Sequence, residues 1–311
     1  MTAIEVAGLR RTFQVRGTVV TAVDRIDFTV AAGEMVGYIG PNGAGKSTTI
    51  KMLTGILVPT SGRIRVAGLE PARRRTELAR RIGVVFGNRS LLWWDLPLGQ
   101  SFDLLRHVYR VPAADHRSRM AELVEVLELG PLLDRPVRQL SLGQRMRGEL
   151  TAALLHAPEV LFLDEPTVGL DIVSRARVRE FLLGLNRRQG VTVLLTTHDM
   201  ADIERLCPRM LIIDRGQVLY DGGTAEIAER FGGTRTLVVD LAESRPPLLL
   251  TGASVVRTDG PRQWIRFRPA DATAAQLVAA VSEQAALVDL AIEEPDIEEI
   301  VRRIYTGELT A

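Results

Sequence analysis

Apolar positions along this chain change period repeatedly, and each change marks a different kind of element. Ile4-Glu5-Val6 and Ile26-Asp27-Phe28-Thr29-Val30 alternate apolar and polar residues, the period of half-buried strands. After a turn at Ala31-Ala32-Gly33-Glu34, the unbroken run Met35-Val36-Gly37-Tyr38-Ile39 predicts a strand buried on both faces. From Ser47 to Leu57 the period becomes helical, with Ile50, Leu53 and Leu57 on one face. Residues from about 98 to 157 carry mainly helical patterns, including Met120 to Leu129 and Arg145 to His156. Strand–helix alternation returns at Val160-Leu161-Phe162-Leu163 and Val191-Thr192-Val193-Leu194-Leu195, apolar runs that suit a covered parallel sheet. The pattern predicts an α/β domain over residues 1–231, interrupted by a helical insert at about 98–157.

The character changes near Phe231-Gly232-Gly233-Thr234, which reads as a glycine hinge. Beyond it lie short strands at Thr236–Leu241, Ala253–Arg257 and Gln263–Arg268, a helix at about Asp271–Gln284, and a strand near Leu287–Ile292. Pro295 opens a last helix with Ile297, Ile300, Val301 and Ile304 on one face. Residues 234–311 therefore read as a small α+β domain.

Composition narrows the class. With 46% hydrophobic and 25% charged residues the chain is an ordinary globular protein, and 311 residues suffice for one large and one small domain. A net charge of +1 argues against a general nucleic-acid surface. No apolar run approaches the roughly 20 residues needed to cross a bilayer, and Met1-Thr-Ala-Ile-Glu-Val6 lacks the regions of a signal peptide. Cys207 is the single cysteine, which excludes an intrachain disulfide, suits a reducing cytoplasm and reads as a packing residue.

Lysine is almost absent: of 39 basic residues only Lys46 and Lys51 are lysine. Lys46 sits in Gly40-Pro41-Asn42-Gly43-Ala44-Gly45-Lys46-Ser47-Thr48, which fits the phosphate-loop pattern between a predicted strand and a predicted helix. A compact ammonium fits a loop wrapped around phosphates where a planar guanidinium does not. Backbone N–H groups of Asn42 to Lys46 are expected to cradle nucleotide phosphates, with Lys46 on the terminal phosphates and the Ser47 hydroxyl on Mg²⁺. Asp164 and Glu165 emerge at the C-terminal end of an apolar strand, where open α/β sheets place ligands. Asp164 is expected to hold Mg²⁺ directly or through water, and Glu165 to polarise the attacking water. Ser141, 23 residues before Asp164, is placed to cap a helix and offers either a second anion site or a cap alone.

At this point the chain resembles the ATP-binding cassette (ABC) ATPases over roughly residues 3–230. Leu140-Ser141-Leu142-Gly143-Gln144 is similar to the family's signature. Asp164-Glu165-Pro166-Thr167 resembles its Walker B segment, Gly169-Leu170-Asp171 its D-loop, and Thr197-His198-Asp199 its switch histidine. The resemblance implies a phosphate-loop cassette that binds and hydrolyses ATP. His198 would contact the γ-phosphate, Phe13 would stack on adenine or serve as a core residue, and Asn88 would replace the usual Q-loop glutamine near Mg²⁺. It also implies a head-to-tail dimer in which Ser141, Leu142, Gly143 and Gln144 close a partner cassette's ATP, and Asp171 belongs to the interface. Two departures are visible: Asn88 is one methylene shorter than glutamine, and Leu142 replaces the signature's first glycine.

The run Phe86–Pro97, with Trp93 and Trp94, resembles drug- and viologen-type exporter ATPases of bacteria. Those tryptophans serve either packing of the insert or docking of a transmembrane permease. Only 118 positions separate Lys46 from Asp164, leaving no space for the long insert of soluble cassette proteins that act on ribosomes or DNA. The expectation is the ATPase subunit of an exporter, on the cytoplasmic face of the plasma membrane, with no nucleic-acid partner.

Overall fold

The computed structural model describes residues 1–87, 90–197, 199–231, 234–293 and 297–306, with the side chains of 228–231 left aside. The predicted Asn88, His198, Gly232–Gly233 hinge and Pro295 therefore lie outside the described residues.

The chain divides into two compact units, Met1–Gly222 and Gly223–Ala311. In the first, β1 (Thr2–Val15) and β2 (Thr18–Ala31) form a long antiparallel hairpin, and β4 (Ser61–Val66) joins β1 on its other side. Both strands far outrun the short alternating runs seen in sequence. Register shifts between Thr2 and Ile4, Val6 and Leu9, Leu9 and Arg11, and Arg11 and Thr12 break the period-two pattern while the backbone ladder continues.

β3 (Met35–Ile39) is buried throughout and leads through the phosphate loop into α1 (Lys46–Leu53). Helix α1 stops short of the predicted Leu57. Gly55 adopts φ 74°, and a Cβ there would lie 2.8 Å from the Pro71 carbonyl, so the chain turns away. Leu57 still packs on the core from outside the helix. Then follow β4 (Ser61–Val66), the single turn α2 (Arg75–Leu78) and β5 (Ile82–Phe86).

The insert contains α3 (Leu98–Tyr109), α4 (Ala113–Val126) and α5 (Leu142–Leu154). The chain returns to the sheet with β6 (Val160–Asp164), α6 (Ile172–Gln189), β7 (Thr192–Thr196), α7 (Met200–Leu206), β8 (Arg209–Asp214) and β9 (Gln217–Gly223). Strand order in the central sheet is β5-β6-β7-β3-β8-β9, with parallel pairing from β5 through β8. β3 and β6 thus end on one edge, and both the phosphate loop and the Asp164–Glu165 pair hang from it.

The second unit begins with α8 (Thr224–Phe231), which packs against the terminal helix. Its sheet, ordered β11-β12-β10-β13, contains β10 (Arg235–Leu241), β11 (Ala253–Asp259), β12 (Arg262–Phe267) and β13 (Leu287–Glu293). Helix α9 (Ala274–Gln284) starts at a capping box between Thr273 and Gln276 and supplies Leu277 and Val281 to this unit's own core. Helix α10 (Ile297–Tyr305) buries Ile297, Ile300, Val301 and Ile304, the face read from the sequence.

Candidate functional site: a cleft between the phosphate loop and the signature helix

The phosphate loop is shaped by positions where only glycine fits. A Cβ on Gly40 would lie 2.5 Å from the Ile213 carbonyl, and one on Gly45 2.5 Å from the Ala22 carbonyl. Gly45 also takes φ 106° and caps α1 without a side-chain acceptor, so the first N–H groups of the helix stay open to a ligand. Lys46 is buried and its Nζ donates to the carbonyls of Gly40 and Pro41, the latter at 3.2 Å. Burial lowers the ammonium's pKa from its ordinary value, and the carboxylates of Glu165 and Asp164 draw it back up.

Asp164 ends β6 and accepts from Thr196 Oγ1 at 2.6 Å and from Ser47 Oγ at 3.3 Å. Glu165 follows at φ 58°, a left-handed conformation rare for this residue type, while its N–H donates to the Thr196 carbonyl at 3.0 Å. The neighbouring strand thus holds the Asp164 carboxylate and the Glu165 backbone beside the loop. Gly40 to Gly43, Gly45 to Thr48, Asp164 and Glu165 line one cleft of about 1000 Å³. Its opposite wall contains Ser90, Trp94, Leu142, Arg145, Met146 and Glu149.

Most of that wall was missed by sequence reading, as was Ala22 beside the loop. Glu149 carries no motif, and its burial depends on a segment nearly sixty residues away. Phe13 is not among the cleft-lining residues: it pairs with Val20 across the hairpin, with the Arg11 guanidinium 4.6 Å over its ring.

The signature residues form the start of α5. Ser141 Oγ accepts from Gln144 N–H at 3.3 Å, and Gln144 Oε1 accepts from Ser141 N–H at 3.0 Å, a complete capping box. Gly143 faces α6, where a Cβ would lie 2.6 Å from Ser174 Oγ. Leu142 is partly exposed, and its Cδ2 would lie 2.6 Å from a Cβ on Gly169. The leucine that departs from the family pattern therefore rests on a glycine, which holds φ 70°. Asp171 caps α6 through Ser174 N–H and Oγ at 2.9 and 2.7 Å, and these bonds lower its carboxyl pKa. Beside the switch position, Asp199 caps α7 and pairs with Arg175, while buried Asp202 receives Arg179 and Thr167.

Residues 23–168 match the ABC transporter family. A Nod factor export ATP-binding protein from Paraburkholderia xenovorans is 42% identical over 216 residues, covering 68% of this chain and 69% of its own. This chain is an ATP-binding cassette of the ABC transporter family. The cassette is also 31% identical over 288 residues to a linearmycin resistance ATP-binding protein of Bacillus subtilis, covering 90% of this chain and 92% of that one. That alignment is too long for the first unit alone and extends into the second. Among solved structures, the dimeric post-hydrolysis cassette MJ0796 bound to ADP and Pi matches at TM-score 0.65 and 25% identity, over 71% of this chain and 98% of that one. The protein is thus the ATPase subunit of an ABC transporter, and among its described residues no helix is long and apolar enough to cross a membrane.

Proposed function

We propose that the cassette drives export: two copies close head to tail on ATP, hydrolyse it, and move a transmembrane permease from the cytoplasmic face of the membrane. The observation that carries the hydrolytic part of this reading is the convergence of Lys46, Ser47, Asp164 and Glu165 on the phosphate loop in one cleft. Lys46 neutralises the terminal phosphates, helped by the open N–H groups of α1. Glu165 accepts a proton from the attacking water. His198 contacts the γ-phosphate, and Ser141, Gly143 and Gln144 close the nucleotide of the second copy.

Ser47 Oγ and Asp164 Oδ2 face each other at 3.3 Å and supply two oxygen donors, too few for an all-protein cage. That set fits Mg²⁺, which completes its shell with water and substrate phosphates. When bound, Mg²⁺ neutralises charge on the phosphate oxygens. Support for export comes from the named export and resistance relatives, the second of which matches both units of this chain.

The test is transport by the cassette assembled with a transmembrane permease, in inside-out vesicles given ATP and an amphiphilic cation. ATP-dependent accumulation inside the vesicles is expected. Uptake only into right-side-out vesicles would make it an importer, and co-purification with ribosomes would remove the transporter reading altogether.

A further inference from the structure

One segment of the cleft wall is tied to the signature helix by several links. Leu91 N–H donates to Glu149 Oε2 at 2.9 Å, and the Ser90 hydroxyl donates to Glu149 Oε1. Ser90 Oγ in turn accepts from Leu92 N–H at 3.0 Å. Leu92 is buried against Gly148, where a Cβ would lie 3.1 Å from its Cδ1. Arg145, one helical turn before Glu149, sits 5.5 Å from the Trp94 ring. From the other side, Arg138 N–H donates to the Trp94 carbonyl and Val137 N–H to the Leu96 carbonyl, both at 3.0 Å. Arg138 also pairs with Asp95 at 3.3 Å. Residues 137–149 thus hold Ser90 to Leu92 and Trp94 to Leu96, while Trp93 N–H donates to Ser101 Oγ of α3 at 3.2 Å. Trp93 and Trp94 nevertheless remain 40% and 52% exposed, so the grip presents them rather than burying them.

Glu149 is only 4% exposed, and burying a carboxylate costs several kcal/mol unless its oxygens are satisfied. Packing alone would be better served by an apolar side chain. Burial raises its carboxyl pKa, opposed first by the bonds from Ser90 and Leu91 and then by Arg145. Upstream the same segment starts at the catalytic edge: a Cβ on Gly87 would lie 3.2 Å from the Asp164 carbonyl.

We infer that Glu149 is a positioning residue that locks residues 90–96 to the signature helix, so the tryptophan pair shifts whenever that helix engages a second cassette's nucleotide. The inference rests on the proposed ATP-driven dimer. It makes the Trp93–Trp94 surface a reporter of the signature end of the cleft.

The test uses the full chain carrying Trp264→Phe, which leaves Trp93 and Trp94 as its only tryptophans. A saturating non-hydrolysable ATP analogue with Mg²⁺ should shift their emission. Glu149→Ala should lose most of that shift, whereas Glu149→Gln, which can still pair with Leu91 N–H and Ser90 Oγ, should keep it. Should the alanine variant fail to fold, Ser90→Ala should lower the shift instead. An unchanged shift in Glu149→Ala, or its loss in Glu149→Gln, overturns the inference. Failure of the parent to bind the analogue overturns the ATPase reading instead, while binding without any emission change overturns only this one.

Discussion

The two ends of the cleft are built by different means. At the phosphate end, close approaches of backbone to backbone decide the residues: Gly40 and Gly45 have no space for a Cβ, and Lys46 folds back onto carbonyls six and five positions away. At the signature end, side chains join segments that lie far apart in sequence, as Glu149 does with Ser90 and Leu91 across 59 and 58 positions. The first kind of construction tolerates almost no substitution. The second spreads over several separate links, and Leu142, where the family places glycine, rests on Gly169.

The sharpest way to break this comparison is Lys46→Arg. It keeps the charge but asks a planar fork to occupy a buried pocket between the Gly40 and Pro41 carbonyls. ATP turnover should fall by about 100-fold or more, as when a fixed transition-state donor is removed. Near-normal turnover would mean that charge, not shape, governs the phosphate end.

The same contrast explains what the sequence reveals. Lys46, Ser47, Asp164 and Glu165 were legible because strand, loop and helix follow one another locally, and the structure gathers them in one cleft. The capping role of Ser141 was legible too, because a helix cap is read within four residues. Ser90 and Glu149 of the opposite wall were not, since they acquire meaning only when the insert folds back on itself, whereas Leu142 and Trp94 already stood out in the sequence. The long hairpin was half seen: its bulges shift side chains between faces, so hydrophobic periodicity fails while pairing persists. Phe13 sits in that hairpin, with the Arg11 guanidinium 4.6 Å over its ring.

A middle-sized effect tests the scaffold behind the signature helix. His156 follows α5, stacks on Tyr109 at 4.0 Å, and places Nε2 2.8 Å from the Ile82 carbonyl. Burial drives its pKa down to about 4. Because the folded value lies below the unfolded one, the unfolded chain binds more protons between the two. The stability contributed by the neutral ring is therefore present above about pH 6.5 and lost as pH falls towards 4, by on the order of 3 kcal/mol. Chemical denaturation across that range should show the loss, and His156→Gln should abolish this part of the pH dependence. Equal pH dependence in both proteins would refute the assignment.

The smallest effect expected is Ser141→Ala, which removes one half of the capping box at the start of α5. Unfolding free energy should drop by about 1 kcal/mol, with the protein still folded at neutral pH. A loss several times larger would mean that the signature end depends on a single link, contrary to the comparison above.

The central claim, that the phosphate end is a catalytic site for ATP hydrolysis, is tested most directly by the turnover of Glu165→Gln beside the unaltered cassette, with ATP binding measured in both. The account predicts that turnover falls at least about 100-fold while binding persists and an ATP-bound dimer accumulates. Turnover within about twofold of the unaltered cassette would contradict it.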